Sequence, residues 1–448
     1  MLLAAGTVVT PDRVLSPGWV AVRDGTIAGV GGRAGVGGRA GVGGLAGVGG
    51  QAGGRAGGIG VGSATLGGPA GPDPGVARVV DLGRRVLTPG SFDVHVHGGD
   101  GAQVNVDGDV TAALTRIARF HARHGTTSLL ATTVSDTPER LLRAVAAAGR
   151  IVGRPVAGGA TIRGIHLEGP WIAPSKRGAH DPQALRPPDV GELRRLADAS
   201  GGSIRIVTIA PELPGSKALQ AAALDLGIEV AIGHTDADYD TTRAAIEAGA
   251  RHATHLFNAM APLHHRRPGA VTALLLDDRV TVEVIADLEH AHAAVLALVA
   301  RCAPGRLVAV SDATPAAGLG PGCYQIGRME VTVAGGRATL ATDADTLAGS
   351  VLTMDRAVRN LVAGAGVTFP EAVRAASTTP ARAAGCAADG LGSLAPGAPA
   401  DLVVLEPDLS VAATIVGGRV VFDPNGMLSA LTPQGPSGRA PARRPAGE

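Results

Sequence analysis

Two histidines close the stretch LTPGSFDVHVHGGD (87–100), His95 and His97, behind an apolar run and ahead of a pair of glycines. In a β-strand residues i and i+2 project from the same face, so the spacing aims both imidazoles one way from a strand that ends in a turn. Similar polar residues close other apolar runs: His166 and Glu168 in GIHLEGP, His234 in AIGHTDAD, His255 in ATHLFNAM, His290 in ADLEH and Asp312 in AVSDAT. A single histidine at a strand end reads as a cap or a packing residue. Burying so many polar groups together without a shared partner would be costly, and a divalent cation is such a partner. Imidazole nitrogens and carboxylate oxygens with no thiolate suit zinc first and iron second, ahead of calcium or magnesium. An ion held by two histidines and a glutamate keeps an open position and makes water a nucleophile at neutral pH. Asp312 is then the natural general base.

The elements that must hold these residues alternate regularly. Short apolar runs at 93–97, 127–134, 161–168, 203–210, 228–233, 252–257, 280–286 and 306–310 are separated by helix-period segments such as VTAALTRIARFHARHG. Eight strands alternating with helices predict a (β/α)8 TIM-like barrel over 89–385, whose chemistry sits at the C-terminal strand ends. A doubly wound sheet alternates similarly but rarely reaches eight strands. A hairpin is expected at YQIGRMEVTVAGGRATL. β-rich pieces at 1–30, 77–88 and 386–423 predict one small β-sandwich built from both ends of the chain. Residues 31–76 contain a six-residue repeat (GGRAGV and variants). Glycine recurs there at every third position but proline is missing from the repeat, which excludes a collagen helix and leaves a flexible insertion. The Pro/Gly/Arg-rich tail, 424–448, is expected to be disordered.

Composition narrows the class of protein. The chain has 448 residues, 45% hydrophobic but only 2% aromatic, with a formal charge of +1. Few stacking platforms and no basic run argue against a nucleic-acid partner. No apolar run reaches membrane-spanning length, no signal peptide is evident at the start, and three widely spaced cysteines, Cys302, Cys323 and Cys386, form no disulfide pattern. A cytoplasmic enzyme with no membrane association is expected.

The segments PGSFDVHVHG, HLEGPW, GHTDADY, THLFNAM, SDAT and LAGSVLTM occur in this order. Together they resemble the amidohydrolase superfamily and, within it, the N-acetylglucosamine-6-phosphate deacetylases. The likeness runs from about residue 78 to 423, more weakly before 30. HLEGPW with THLFNAM is the specific part, because many amidohydrolases carry a lysine where Glu168 stands. The resemblance implies that Glu168, His234 and His255 are the principal metal ligands and that His95 and His97 can support a second ion, giving one or two ions per chain. It implies Asp312 as general base and His180, in KRGAHDP, as the group polarising the substrate carbonyl. Asn258, the Ala259 backbone and Arg266 match the phosphate-binding set, His290 a sugar contact, and Leu347, Ala348 and Gly349 a loop closing over substrate. Two positions depart from the family: Leu288 stands where glycine is common, and Arg267 where an acidic residue is common.

The implied reaction is hydrolysis of the acetamide of N-acetylglucosamine 6-phosphate to glucosamine 6-phosphate and acetate, in amino-sugar catabolism or cell-wall recycling, by a homodimer or higher homo-oligomer. Three alternatives stand beside it: deacetylation of the galactosamine epimer, hydrolysis of a cyclic amide, and a non-catalytic barrel, which should have lost ligands. Among the other histidines, His121 and His124 are expected at the surface or capping a helix, His264 and His265 in substrate or interface contacts, and His292 facing solvent. Trp171 is expected to pack under the third-strand loop.

Overall fold

The computed structural model describes residues 1–32 and 78–429. Most of the glycine-rich repeat segment, 33–77, and the tail from 430 onward lie outside the described residues.

Eight parallel strands form the central sheet: β1 (Ser91–Val96), β2 (Thr126–Thr133), β3 (Thr161–Glu168), β4 (Ile204–Ile209), β5 (Glu229–Ile232), β6 (His252–Ala253), β7 (Thr281–Ile285) and β8 (Leu307–Val310). They pair strictly in sequence order. The last edge is joined to the first just beyond β8. There the Asp312 N–H donates to the His95 carbonyl at 2.9 Å, and Val96 bridges Ala313 in parallel. The sheet is a (β/α)8 barrel. Its strands are buried on both faces, which explains why they read as continuous apolar runs rather than alternating ones. Most helices outside bury one stripe, whereas Gly269–Leu276 is buried almost all round. In Val110–Ala122 that stripe includes Leu114, Ile117 and Ala118, at helical spacing, and the Asp109 carboxylate accepts the backbone N–H groups of Thr111 and Ala112.

Two sheets from both chain ends make the small domain. One has the order Thr26–Gly32, Gly18–Arg23, Leu2–Ala5, Val79–Asp81. The other has the order Arg419–Phe422, Val411–Val416, Leu402–Leu405, Val86–Pro89, Thr7–Val9, Val14–Leu15. Leu3, Val8, Val20, Leu82, Leu402 and Ile415 pack between them. Two boundaries shift from the sequence expectation. Gly31 and Gly32 still pair with Trp19 and Gly18, so the strand outlasts residue 30. At the far end Asp423 accepts the backbone N–H groups of Met427 and Leu428, and Leu428 is fully buried in the small-domain core. The small domain therefore includes residues past 424.

The hairpin expected after Asp312 is a four-stranded antiparallel sheet: Gly322–Ile326, Met329–Ala334, Arg337–Leu340 and Asp343–Leu347. Its first and last strands are largely exposed, so neither carries the apolar alternation that marks a half-buried strand. The insert is anchored near the barrel mouth by the Gly327 N–H to Gln103 Oε1 (2.7 Å) and by Arg328 to Asp181 (3.1 Å). Among the described residues no helix is long and apolar enough to cross a membrane.

Candidate active site

Where the strands end, the backbone turns sharply. His234, His255 and Asp312 follow β5, β6 and β8 with φ of 47°, 25° and 49°. Non-glycine residues rarely adopt this region, and such residues cluster at functional sites. The turn lifts each side chain off the strand and into the mouth of the barrel.

Glu168, the last residue of β3, is the hub. Its Oε1 lies 3.0 Å from His234 Nε2, 2.9 Å from His255 Nε2 and 3.4 Å from His95 Nε2; its Oε2 lies 3.2 Å from His97 Nε2 and 3.3 Å from His180 Nε2. Asp312 Oδ1 stands 3.1 Å from His97 Nε2 and 3.5 Å from His95 Nε2. All of these groups are buried. Donors bound to one zinc ion at about 2.0–2.2 Å sit roughly 3.3 Å apart in a tetrahedron, and the separations here are close to that. Two overlapping ligand sets emerge within this cluster, His95–His97–Asp312 and His95–Glu168–His255, and His234 and His180 converge on the same Glu168. The set fits a divalent cation in donor chemistry and in geometry.

The electrostatics point the same way. Burial disfavours charge on His95, yet the carboxylates of Glu168, Glu283 and Asp312 hold its pKa well above the ordinary value. Burial also opposes charge on His97, but Asp312 and Glu168 raise it to about 9. The carboxylates thus demand positive charge between them. Glu168 and Asp312 would be pushed up by burial alone; the imidazoles around them bring both below the usual carboxylate range.

Two histidines have their tautomers set by neighbours. His180 Nδ1 accepts the Ser135 backbone N–H at 3.0 Å, so its hydrogen lies on Nε2, the nitrogen facing Glu168. His234 Nδ1 donates to the Lys176 carbonyl at 2.7 Å, which leaves an Nε2 lone pair toward Glu168.

These groups open on a cavity of about 340 Å³. His97, Glu168, His180, His234, His255 and Asp312 share its wall with Asn258, Ala259, His290, Leu347 and Gly349. His95 lies beneath, with no solvent exposure. Asn258 spends its amide on the carbonyls of His255 and Leu256, which stiffens the turn. His290 Nδ1 is held by Asp287 at 2.7 Å, and Leu288 takes the position with φ 73°, in the region that favours glycine. The departure at Leu288 therefore leaves His290 on the cavity wall. Gly349 (φ 54°) has no room for a side chain: a Cβ would lie 2.6 Å from Thr314 Cγ2 and 2.9 Å from the Asp312 carbonyl oxygen.

Two residues grouped with substrate contacts fall elsewhere. Ala348 turns into the core of the antiparallel insert, because its N–H pairs with the Ala338 carbonyl and its methyl is fully buried. Arg266 is exposed and bonds His265 at 2.8 Å, away from the cavity of its own chain. His264 and His265 stack beside it at 4.5 Å. His292 accepts from Ala294 N at the start of its helix, and Trp171 is fully buried.

Several site residues carried no signal in the sequence reading. Ser135, Asp345 and Thr346 belong to no motif in the sequence, while Lys176 lies in KRGAHDP and Ile326 in the hairpin stretch without a site role of their own. Among the described residues, Lys176 is the one lysine or arginine on the cavity wall, held by Asp236 at 3.3 Å. Below the cavity lie Glu283, His252 and Asp93, all fully buried. The only available cue for Glu283 was a lone acid inside the apolar run VTVEVIA. Burial pushes the Asp93 carboxyl up to about 7, even though it accepts from Ser311 and His95.

Comparison with known proteins agrees with this geometry. The Amidohydrolase family model matches residues 86–421. The chain is 40% identical over 351 residues to N-acetylgalactosamine-6-phosphate deacetylase of Escherichia coli O157:H7, covering 78% of this chain and 91% of that protein. It is also 40% identical over 351 residues to human N-acetylglucosamine-6-phosphate deacetylase, covering 76% of this chain and 85% of the relative. Among solved structures, the N-acetyl-D-glucosamine-6-phosphate deacetylase of Mycobacterium smegmatis superimposes with a TM-score of 0.80 at 39% identity, covering 94% of this chain and 100% of that one. By the extent of these matches, the chain belongs to the amidohydrolase family, among the N-acetylglucosamine-6-phosphate deacetylases.

Proposed function

We propose that the cavity hydrolyses the acetamide of N-acetylglucosamine 6-phosphate, releasing glucosamine 6-phosphate and acetate. The observation that carries this reading is Glu168 set among His234, His255 and His97, with His180 and Asp312 on the same wall. Zinc is the proposed ion, held by Glu168, His234 and His255, with His95 and His97 supporting a second; when bound it supplies a Lewis acid and lowers the pKa of water.

The chain's own groups supply the rest. Asp312 accepts a proton as a water oxygen adds to the carbonyl carbon. His180 presents its Nε2–H to the carbonyl oxygen, where negative charge develops in the tetrahedral intermediate. Asp312 then returns the proton to the nitrogen as the C–N bond breaks, leaving an amine and acetate. His290, steadied by Asp287, contacts the sugar, and Leu347 and Gly349 border it. Asn258 and the Ala259 backbone border the phosphate. Lys176 offers it positive charge from within the chain, and Arg266, being exposed, offers it to the cavity of an adjoining copy. That role for Arg266 requires a homo-oligomer.

Acetate release from phosphorylated and unphosphorylated N-acetylglucosamine tests the reading. Turnover should favour the 6-phosphate, and Arg266→Ala should raise KM for it by roughly 10- to 100-fold, the scale of one charge-assisted hydrogen bond. Equal turnover of both sugars would overturn the phosphosugar assignment. The galactosamine epimer belongs in the same assay, because a relative that carries that name is as similar as the human protein.

A further inference from the structure

Glu283 lies in mid-strand β7 with no solvent exposure, and the reaction outlined above does not use it. An unpartnered carboxylate at such a depth would cost several kcal/mol. Its partners account for its presence. Oε2 meets His95 Nδ1 at 3.0 Å and accepts the His255 backbone N–H at 3.0 Å; Oε1 meets His252 Nε2 at 2.8 Å. His252 is itself held by Thr281 Oγ1 at 2.6 Å. The carboxylate therefore ties β7 to the ends of β1 and β6.

An ionised carboxylate only accepts, so His95 must carry its hydrogen on Nδ1. Nε2, 3.2 Å from His97 Nε2 and 3.4 Å from Glu168 Oε1, is then the nitrogen whose lone pair would face a cation that takes the place of a second proton. The same carboxylate oxygen holds the backbone of His255 in its φ 25° conformation, from which the ring reaches Glu168 at 2.9 Å. One buried group thus aims donors from two strands at one point.

Glu283 could instead be a ligand itself, in a deeper site with His95 and His166. The bonding of His166 argues against this. Its Nδ1 donates to the Val94 carbonyl at 3.0 Å and its Nε2 meets Thr208 Oγ1 at 2.8 Å, so neither ring nitrogen is spare.

We propose that Glu283 is a positioning residue of the metal centre, which turns the His95 lone pair toward the Glu168 cluster and fixes the His255 backbone, and that it touches neither ion nor substrate. This rests on reading the cluster as a metal centre. Carboxylates that orient ligating histidines contribute about 10- to 100-fold to metal affinity. In chelator competition, Glu283→Gln should weaken the zinc dissociation constant by that factor, at whatever stoichiometry the wild-type chain shows. A merely structural residue would lower the melting temperature of the metal-free protein and leave zinc affinity unchanged. Wild-type zinc affinity in folded Glu283→Gln would overturn the proposal. A wild-type chain that binds no divalent ion would overturn the metal reading beneath it.

A measurement on the unaltered protein covers the case in which the variant does not fold. Long-range ¹H–¹⁵N spectra of the histidine-labelled, zinc-loaded chain should show His95 as the Nδ1–H tautomer. An Nε2–H tautomer there would refute the proposed aim.

Discussion

Asp312 combines two features of a working base: burial at the cavity wall and imidazole neighbours that keep it ionised. Its backbone is stitched to β1 by its N–H and to Ser350 N through its carbonyl at 2.8 Å, which fixes the main chain from which the carboxylate reaches His97 at 3.1 Å. Asp312→Asn preserves that frame and removes proton acceptance. It should lower kcat by at least about 100-fold with little change in KM; near-wild-type turnover would assign the proton transfer to another group. At this scale the motif-bearing residues were legible because a histidine or acid closing an apolar run is conspicuous. Glu283, His252 and Ser135 were not. They act by orienting another side chain, and a contact between strands far apart in sequence leaves no local spacing to read. Ala348 failed for a related reason: alternate residues of a loop segment face opposite ways, and only the register decides which.

The barrel strands were legible as elements because burial on both faces gives unbroken apolar runs. The antiparallel insert was not fully legible, since DADTL pairs through its backbone while most of its side chains stay in water. The helix Val110–Ala122 shows a third case. Its penultimate residue, His121, reads as a surface or capping histidine in RFHARHG but is fully buried, with Nε2 bonded to the Gly98 carbonyl at 2.9 Å. Its Nδ1 has no partner among the described residues, so protonation would bury an unsatisfied N–H. Burial pushes the His121 pKa down to about 4, against roughly 6.5 in an unfolded chain. Between these values the unfolded chain takes up a proton and the folded chain does not. The contribution is complete above pH 6.5 and is lost as pH falls through about 4, up to roughly 3 kcal/mol. Urea unfolding across that range should therefore be less pH-dependent in His121→Gln than in the wild type. Identical slopes would place the acid sensitivity elsewhere.

At the scale of the whole molecule, residues 33–77 join Thr26–Gly32 to Val79–Asp81, the two outer strands of one four-stranded sheet. Those edges are three strand spacings apart, about 14 Å. Removing 33–54 leaves residues 55–77, far more chain than that span requires. The deletion should leave the melting temperature and turnover close to wild type, because loop length affects closure entropy only weakly. A large loss of either would show that the repeat contributes contacts of its own. The larger small-domain sheet has a different consequence, which concerns time. Val86–Pro89 lies between Thr7–Val9 and Leu402–Leu405, so one of its neighbours is encoded more than 300 residues downstream. At about 5–20 residues per second the ribosome needs roughly 15–60 s to cover that distance. Throughout that interval the early strands present a bare hydrogen-bonding edge, the kind that pairs with other chains. The nascent polypeptide is therefore most vulnerable to aggregation while its catalytic barrel is being made, and a stalled or prematurely terminated product would keep that edge for good.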